Sequence, residues 1–231
     1  MGEPSGELKG HLFNNPLFSD VKIKQVCDGK VREYYAHKAI LCAKNQYFLK
    51  LFTGDFKVGS TSPRGKAFWE IQLSYAKESS ESVVEICDDD PDLFELLLKY
   101  MYGVDYRKAI NDLSGGDEQK HLFSAIALSR LVDKYDILSI QEDIAQDLAN
   151  VIDPESVDND LLRKLLITHY QNVVVPGGPV GKKLTSLVSE RGRTKFVALS
   201  KFVDLVRLYP IFGADIALAV ERIADEWGPW N

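Results

Sequence analysis

The chain has 231 residues, of which 45% are hydrophobic and 27% charged, with a net charge of −6. That is the make-up of an ordinary globular protein long enough to bury a core, and its acidic balance gives nucleic acid or an anionic membrane no electrostatic hold. No apolar run approaches the roughly 20 residues that span a bilayer.

Residues 1–18 read as a polar start followed by a short amphipathic turn, "LKGHLFNNPLF", with residues 1–16 an N-terminal segment. "SDVKIKQVCDGKVREYY" then places Val21 and Ile23 on one face and breaks at Asp28-Gly29, a strong hairpin-turn pair between alternating runs. After His37 the period changes: Ile40, Leu41, Phe48, Leu51 and Phe52 fall close to helical spacing. Asn45 is placed to cap a second short helix and Gly54 to end it. "KVGSTSPRGK" reads as a loop, and "AFWEIQLSYA" alternates with Trp69, Ile71, Leu73 and Tyr75 on one face. With "VVEI" following, residues 67–87 read as a second β-hairpin with a longer connection.

"CDDDPDLFELLLKYMYG" is the clearest helix. Asp90 caps it, Pro91 suits its first position, and Asp92 favours the positive end of the helix dipole. Leu93, Phe94, Leu97, Leu98 and Met101 form one apolar stripe that Gly103 closes. "NDLSGGDEQK" reads as a loop, followed by helices in "HLFSAIALSRLVDKYDI" and "SIQEDIAQDLANVI". A further helix follows Asp153-Pro154, "VVVPGGPVGKK" reads as a loop, and 194–227 as a helical pair broken near Pro210. Strand-rich units early and helices thereafter make an α+β chain with an all-helical tail.

Few residues suggest chemistry. "VVVPGGPVGKKLTS" imitates the phosphate-binding G-x-x-x-x-G-K-[ST] loop, but only three residues separate Gly177 from Gly181, and Lys183 replaces the metal-binding hydroxyl. Pro176 and Pro179 stiffen it and Pro179 removes an amide donor, so it reads as a surface loop. His11, His37, His121 and His169 are scattered and make no zinc spacing with the cysteines. "CDDDPD" serves capping better than metal binding. Lys182, Lys183, Arg191, Arg193 and Lys195 form a basic cluster without interleaved aromatics, which reads as solvated surface rather than a nucleic-acid site. Cys27, Cys42 and Cys87 are odd in number and read as reduced thiols. With an N-terminus lacking a signal peptide's features, they fit an intracellular protein, cytoplasmic or nuclear. No cofactor, metal or catalytic group is expected.

Several ordered blocks resemble the BTB/POZ family, in the form found in fungal BTB-domain proteins. They are the Asp20-Val21 strand start, the Ala36-His37-Lys38 joint, the Tyr47-Phe48 helix, the Asp89-Asp90-Pro91-x-x-Phe94 helix start and its Leu-x-x-Lys-Tyr continuation. The resemblance covers roughly residues 17–150 and implies a small β-sheet capping a helical cluster. It leaves an insertion at about 58–82 and an α-helical C-terminal extension, 151–231. It implies a charged pocket pairing Asp20 with Lys38, with His37 at the joint between sheet and helices bonding nearby backbone. If that pair is buried, losing one partner costs roughly 3 kcal/mol. The resemblance also implies protein partners, through oligomerisation or recruitment, with Phe56, Val58, Trp69 and Tyr75 as candidate contacts. Relatives that engage cullin scaffolds carry a hydrophobic-x-Glu motif where this chain has Phe56-Lys57-Val58. The missing Glu implies a homodimer or higher oligomer, or another protein partner, with weak cullin binding at most. The rival reading is a cullin adaptor; a nucleotide-binding enzyme is disfavoured.

Overall fold

The computed structural model describes residues 10–53, 83–154, 157–171, 173, 175–194 and 202–227, with the backbone alone at 138, 190–194 and 221–227. Two compact units divide the chain: 1–109 with 134–137, and 110–133 with 138–231.

Among the described residues, the first unit is built on a three-stranded sheet of order β2-β1-β3. Strands β1 (Val21–Cys27) and β2 (Lys30–Ala36) form the expected hairpin, with Val21 opposite Ala36 and Ile23 opposite Tyr34. Asp28 (φ 50°) and Gly29 (φ 74°) are both left-handed, as a tight turn matching the strand twist requires. The inward positions Val21, Ile23, Tyr34 and Ala36 are buried, while the intervening side chains of β2 are exposed. Strand β3 (Val83–Cys87) forms where "VVEI" placed it, but its partner is β1, in parallel, with Val84 beside Ile23 and Ile86 beside Gln25. The strand therefore belongs to the first sheet, through a parallel pairing with β1 that the sequence did not indicate. The other half of the expected second hairpin, 67–75 with Trp69 and Tyr75, lies outside the described residues, as do Gly54, Phe56 and Val58.

Helices α1 (Lys38–Lys44) and α2 (Gln46–Thr53) follow the hairpin. Asn45 ends the first and caps the second, its Oδ1 accepting from the Tyr47 and Phe48 amides at 2.6 and 3.2 Å. Helix α3 (Pro91–Met101) starts as the sequence indicates: Asp90 Oδ1 accepts from the Asp92 and Leu93 amides at 2.9 and 3.0 Å. Phe94, Leu97, Leu98 and Met101 are buried and Gly103, at φ 83°, turns the chain away. Each such side chain taken from water contributes roughly 1.5–3 kcal/mol.

Helix α4 (Tyr106–Ser114) extends through Asn111–Ser114, which the sequence alone placed in a loop. The glycine pair Gly115 (φ 64°) and Gly116 (φ 84°) is the actual break. Helices α5 (Glu118–Lys134) and α6 (Leu138–Val151) come next. In the second unit α7 (Asn159–Tyr170) is capped by Asp158, and α8 spans Pro179–Thr194. The pair expected in the tail is α9 (Val203–Leu208) and α10 (Pro210–Trp227). Ile140, Ile144, Leu148, Leu162, Leu165, Leu184, Leu187, Phe202 and Phe212 make the core of this unit. Helix α8 packs on α6 and α10, and the Arg163 guanidinium grips both Asp204 carboxylate oxygens, tying α7 to α9. His121 and Asp147, both buried, meet at 2.6 Å.

An alanine Cβ at Gly29 would meet nothing within 4 Å, so Gly29→Ala isolates the backbone term of the left-handed turn. It is expected to destabilise the first unit by about 1–2 kcal/mol, read by chemical denaturation.

Candidate functional site

The joint between sheet and helices is built around His37, which is 7% exposed. Its backbone N–H donates to the Tyr102 hydroxyl at 2.9 Å, and Nδ1 lies 2.9 Å from that same oxygen. Nε2 lies 2.8 Å from the Leu17 carbonyl. A carbonyl can only accept, so Nε2 carries the proton and Nδ1 takes the Tyr102 O–H. Burial pushes the Tyr102 phenol up to about 12, opposed by the bond from the His37 amide, so the hydroxyl keeps the proton it donates. Phe13 packs edge-on against Tyr102, and the Tyr35 amide donates to Asn14 Oδ1 at 3.0 Å. One histidine thus joins the N-terminal turn, the start of α1 and the end of α3. The backbone bond assigned to it by resemblance is the one to Leu17; its link to Tyr102 had no sequence signal.

Asp20 and Lys38 are brought together, but not as a buried ion pair. Asp20 is exposed, and its Oδ1 accepts from the Lys38 backbone N–H at 2.7 Å. His37, at the N-cap of α1, makes no side-chain capping bond, so the carboxylate of Asp20 caps the helix from the residue just before β1. The Lys38 ammonium lies 5.6 Å from the centre of the Phe52 ring. This corrects the expected energy: an exposed cap is worth less than a buried charge pair.

The glycine-rich stretch also differs from expectation. Val180–Lys183 lie in the first turns of α8, and Val180 and Leu184 are buried, so this is a packed helix start rather than a surface loop. The place a phosphate would take is filled by the chain's own carboxylate. Asp215, 2% exposed, accepts the Gly177 amide on Oδ1 at 2.6 Å and the Tyr170 hydroxyl on Oδ2 at 2.7 Å. A Cβ on Gly181 would stand 2.5 Å from Asp215 Oδ2, so glycine is required there for packing. Burial, aided by Arg130, lowers the neighbouring His169 to about 4 and leaves it neutral. Lys182 and Lys183 sit on α8 and Lys195 lies outside the described residues. No group of three or more His, Cys, Asp or Glu that could hold a metal occurs among the described residues.

These geometries rank two substitutions at the joint. Tyr102→Phe strips His37 of both Tyr102 bonds and is expected to cost about 1–3 kcal/mol. Asp20→Ala removes an exposed cap and is expected to cost about 1 kcal/mol. Urea denaturation of both variants checks the order, which a buried Asp20–Lys38 pair would reverse.

The sheet, the His37 joint and the Asp90-capped helix all fall within residues 10–150, the stretch matched by the family model for the BTB/POZ domain. No curated protein matches the chain. Because that match takes in more than half of the 231 residues, the chain belongs to the BTB/POZ domain family.

Proposed function

We propose that this protein is an intracellular interaction module whose main act is self-association or the recruitment of another protein. BTB/POZ domains are protein-interaction domains, and membership of that family is the observation that carries the reading. Residues 17–150 are the interaction domain, 58–82 an insertion within it, and 151–231 a helical extension. Phe56, Val58, Trp69 and Tyr75 are the insertion-side residues offered to a partner. No helix among the described residues is long and apolar enough to cross a membrane.

A cullin adaptor is the second reading. Against it stands Val58, where the resemblance calls for a glutamate. A lost charge-assisted hydrogen bond is worth about 1.5–3 kcal/mol, roughly tenfold to hundredfold in affinity. Self-association is therefore expected to outweigh cullin binding. Sedimentation of the full chain across the micromolar range, beside titration with a cullin N-terminal domain, separates the two. Concentration-dependent assembly with weak or absent cullin binding supports the first reading. Submicromolar cullin affinity from a monomeric chain makes it an adaptor.

A further inference from the structure

The C-terminal helices leave an aliphatic stripe on the surface of the second unit. Phe202, at the N-cap of α9, and Leu205 within it turn inward, whereas Val203, Val206 and Arg207, three and four residues apart, share the outward side. Val203 is 48% exposed and Val206 40%. The stripe continues onto α10. Val206 packs against Gly213, where a Cβ would stand 3.0 Å from Val206 Cγ1. Four and seven residues on from Gly213, Ala217 and Val220 fall on the same flank of α10, and both are exposed, Val220 by 56%. On α10 alone the stripe is roughly 10 Å long, about two helical turns.

The charge around this stripe is basic although the chain is acidic. From Leu161 to Val220 nine Lys and Arg stand against three Asp and Glu, in a chain of net charge −6. Two of the three acids are engaged within the fold. Asp215, 2% exposed, takes the Gly177 amide and the Tyr170 hydroxyl, and Asp204 takes the Arg163 guanidinium. Arg207, exposed on the stripe itself, makes no ion pair among the described residues.

We propose that this stripe binds a short amphipathic helix of another protein, with aliphatic residues along one face and an Asp or Glu placed to meet Arg207. The surface lies outside residues 10–150, the span of the family match, so it is a contact site additional to the sheet–helix unit. Extent and charge choose the occupant. A stable dimer needs about 20–30 residues a side, far more than this stripe offers, whereas a single helix laid across it needs only a few aliphatic anchors. A guanidinium with no acid of its own is matched by a carboxylate, which it grips through two parallel bonds. The valines beside it exclude water from that pair and so strengthen it.

Panning a phage-displayed library of short helical peptides on the full chain tests this, followed by titration of the selected peptides against wild type, Val203→Ser and Arg207→Glu. The selected peptides are expected to carry aliphatic residues three and four apart and at least one Asp or Glu. Each variant is expected to bind them at least about tenfold more weakly while melting as the wild type does, since both side chains are exposed. Exchanging the peptide's acid for Lys is expected to restore binding to Arg207→Glu and to weaken binding to the wild type. That swap separates a lost contact from a lost fold, because an unfolded variant regains nothing. A library that yields no binder, binders without an acid, binding that neither variant weakens, or a swap that restores nothing overturns the proposal. Variants that alter the sedimentation of the chain assign the stripe to a second copy, and wild-type binding to phosphatidylserine vesicles that Arg207→Glu abolishes assigns it to a membrane; either result overturns it as well. Failure here leaves the reading of residues 17–150 standing, because sedimentation and cullin titration of the unaltered chain decide that separately.

Discussion

Asp89 is the residue on which the sheet–helix unit is organised. It sits between β3 and α3 and is 6% exposed. A carboxylate so deeply buried costs several kcal/mol unless it is paired and bonded. Here Oδ1 meets the Lys134 ammonium at 2.7 Å and Oδ2 takes the Tyr135 hydroxyl at 2.6 Å. Burial, followed by the charges of Tyr47 and Asp89, raises the Tyr135 phenol well above its ordinary value, so it remains the donor. The bonds then spread. The Asp89 carbonyl accepts from Gln25 Nε2 of β1 at 2.5 Å, and the Tyr135 carbonyl accepts from Asn45 Nδ2 at 2.6 Å. Since Asn45 Oδ1 caps α2, one acidic residue fixes the middle strand, the start of α3, the end of α5 and the start of α2 relative to one another. This explains why residues 134–137 group with the first unit although they are separated from it in sequence.

Aromatic packing surrounds that network. Tyr135 stacks on Phe48 at 6.0 Å between ring centres and meets Tyr47 edge-on at 4.7 Å. Rigidity of this kind suits a module whose work is binding, because surfaces already in place lose little freedom on contact. The outer strand shows the complementary constraint. β2 exposes Lys30, Arg32 and Glu33, and its Tyr35 amide is taken by Asn14, features that discourage indiscriminate strand addition. Arg32 also reaches Asp92 at 2.7 Å and Glu95 at 3.5 Å, so this charged edge is tied back onto α3.

Local signals carried much of the fold in the sequence. Asp28-Gly29, Asn45, Asp90-Pro91 and Gly103 act through their own backbone and nearest amides, and all perform the roles their residue types indicate. Pairing over distance was not legible. "VVEI" has strand character, yet nothing in its alternation says that β1, some sixty residues earlier, is its parallel neighbour. In "DDD" the cap at Asp90 could be read from the helix that follows it. The inward turn of Asp89 depends on Tyr135 and Lys134, whose distance in sequence hides the pairing. Likewise, Asp20 and Lys38 were placed together by resemblance, while the bond between them, carboxylate to backbone amide, follows from the pairing of the start of β1 with the end of β2. The glycines leading into α8 read as a surface loop because the carboxylate they pack against, Asp215, arrives from a distant helix.

A double-mutant cycle on Asp89→Asn and Tyr135→Phe addresses the organising role of Asp89 most directly. Amide exchange at Ile23 and Ile86, in the two strands the network braces, reads the stability of this unit specifically. Removing one member of a buried charged network is expected to cost about 3 kcal/mol, and the two substitutions together are expected to cost less than their sum by more than about 1 kcal/mol. Strictly additive effects, each within about 0.5 kcal/mol of the wild type, would contradict an organising role for Asp89.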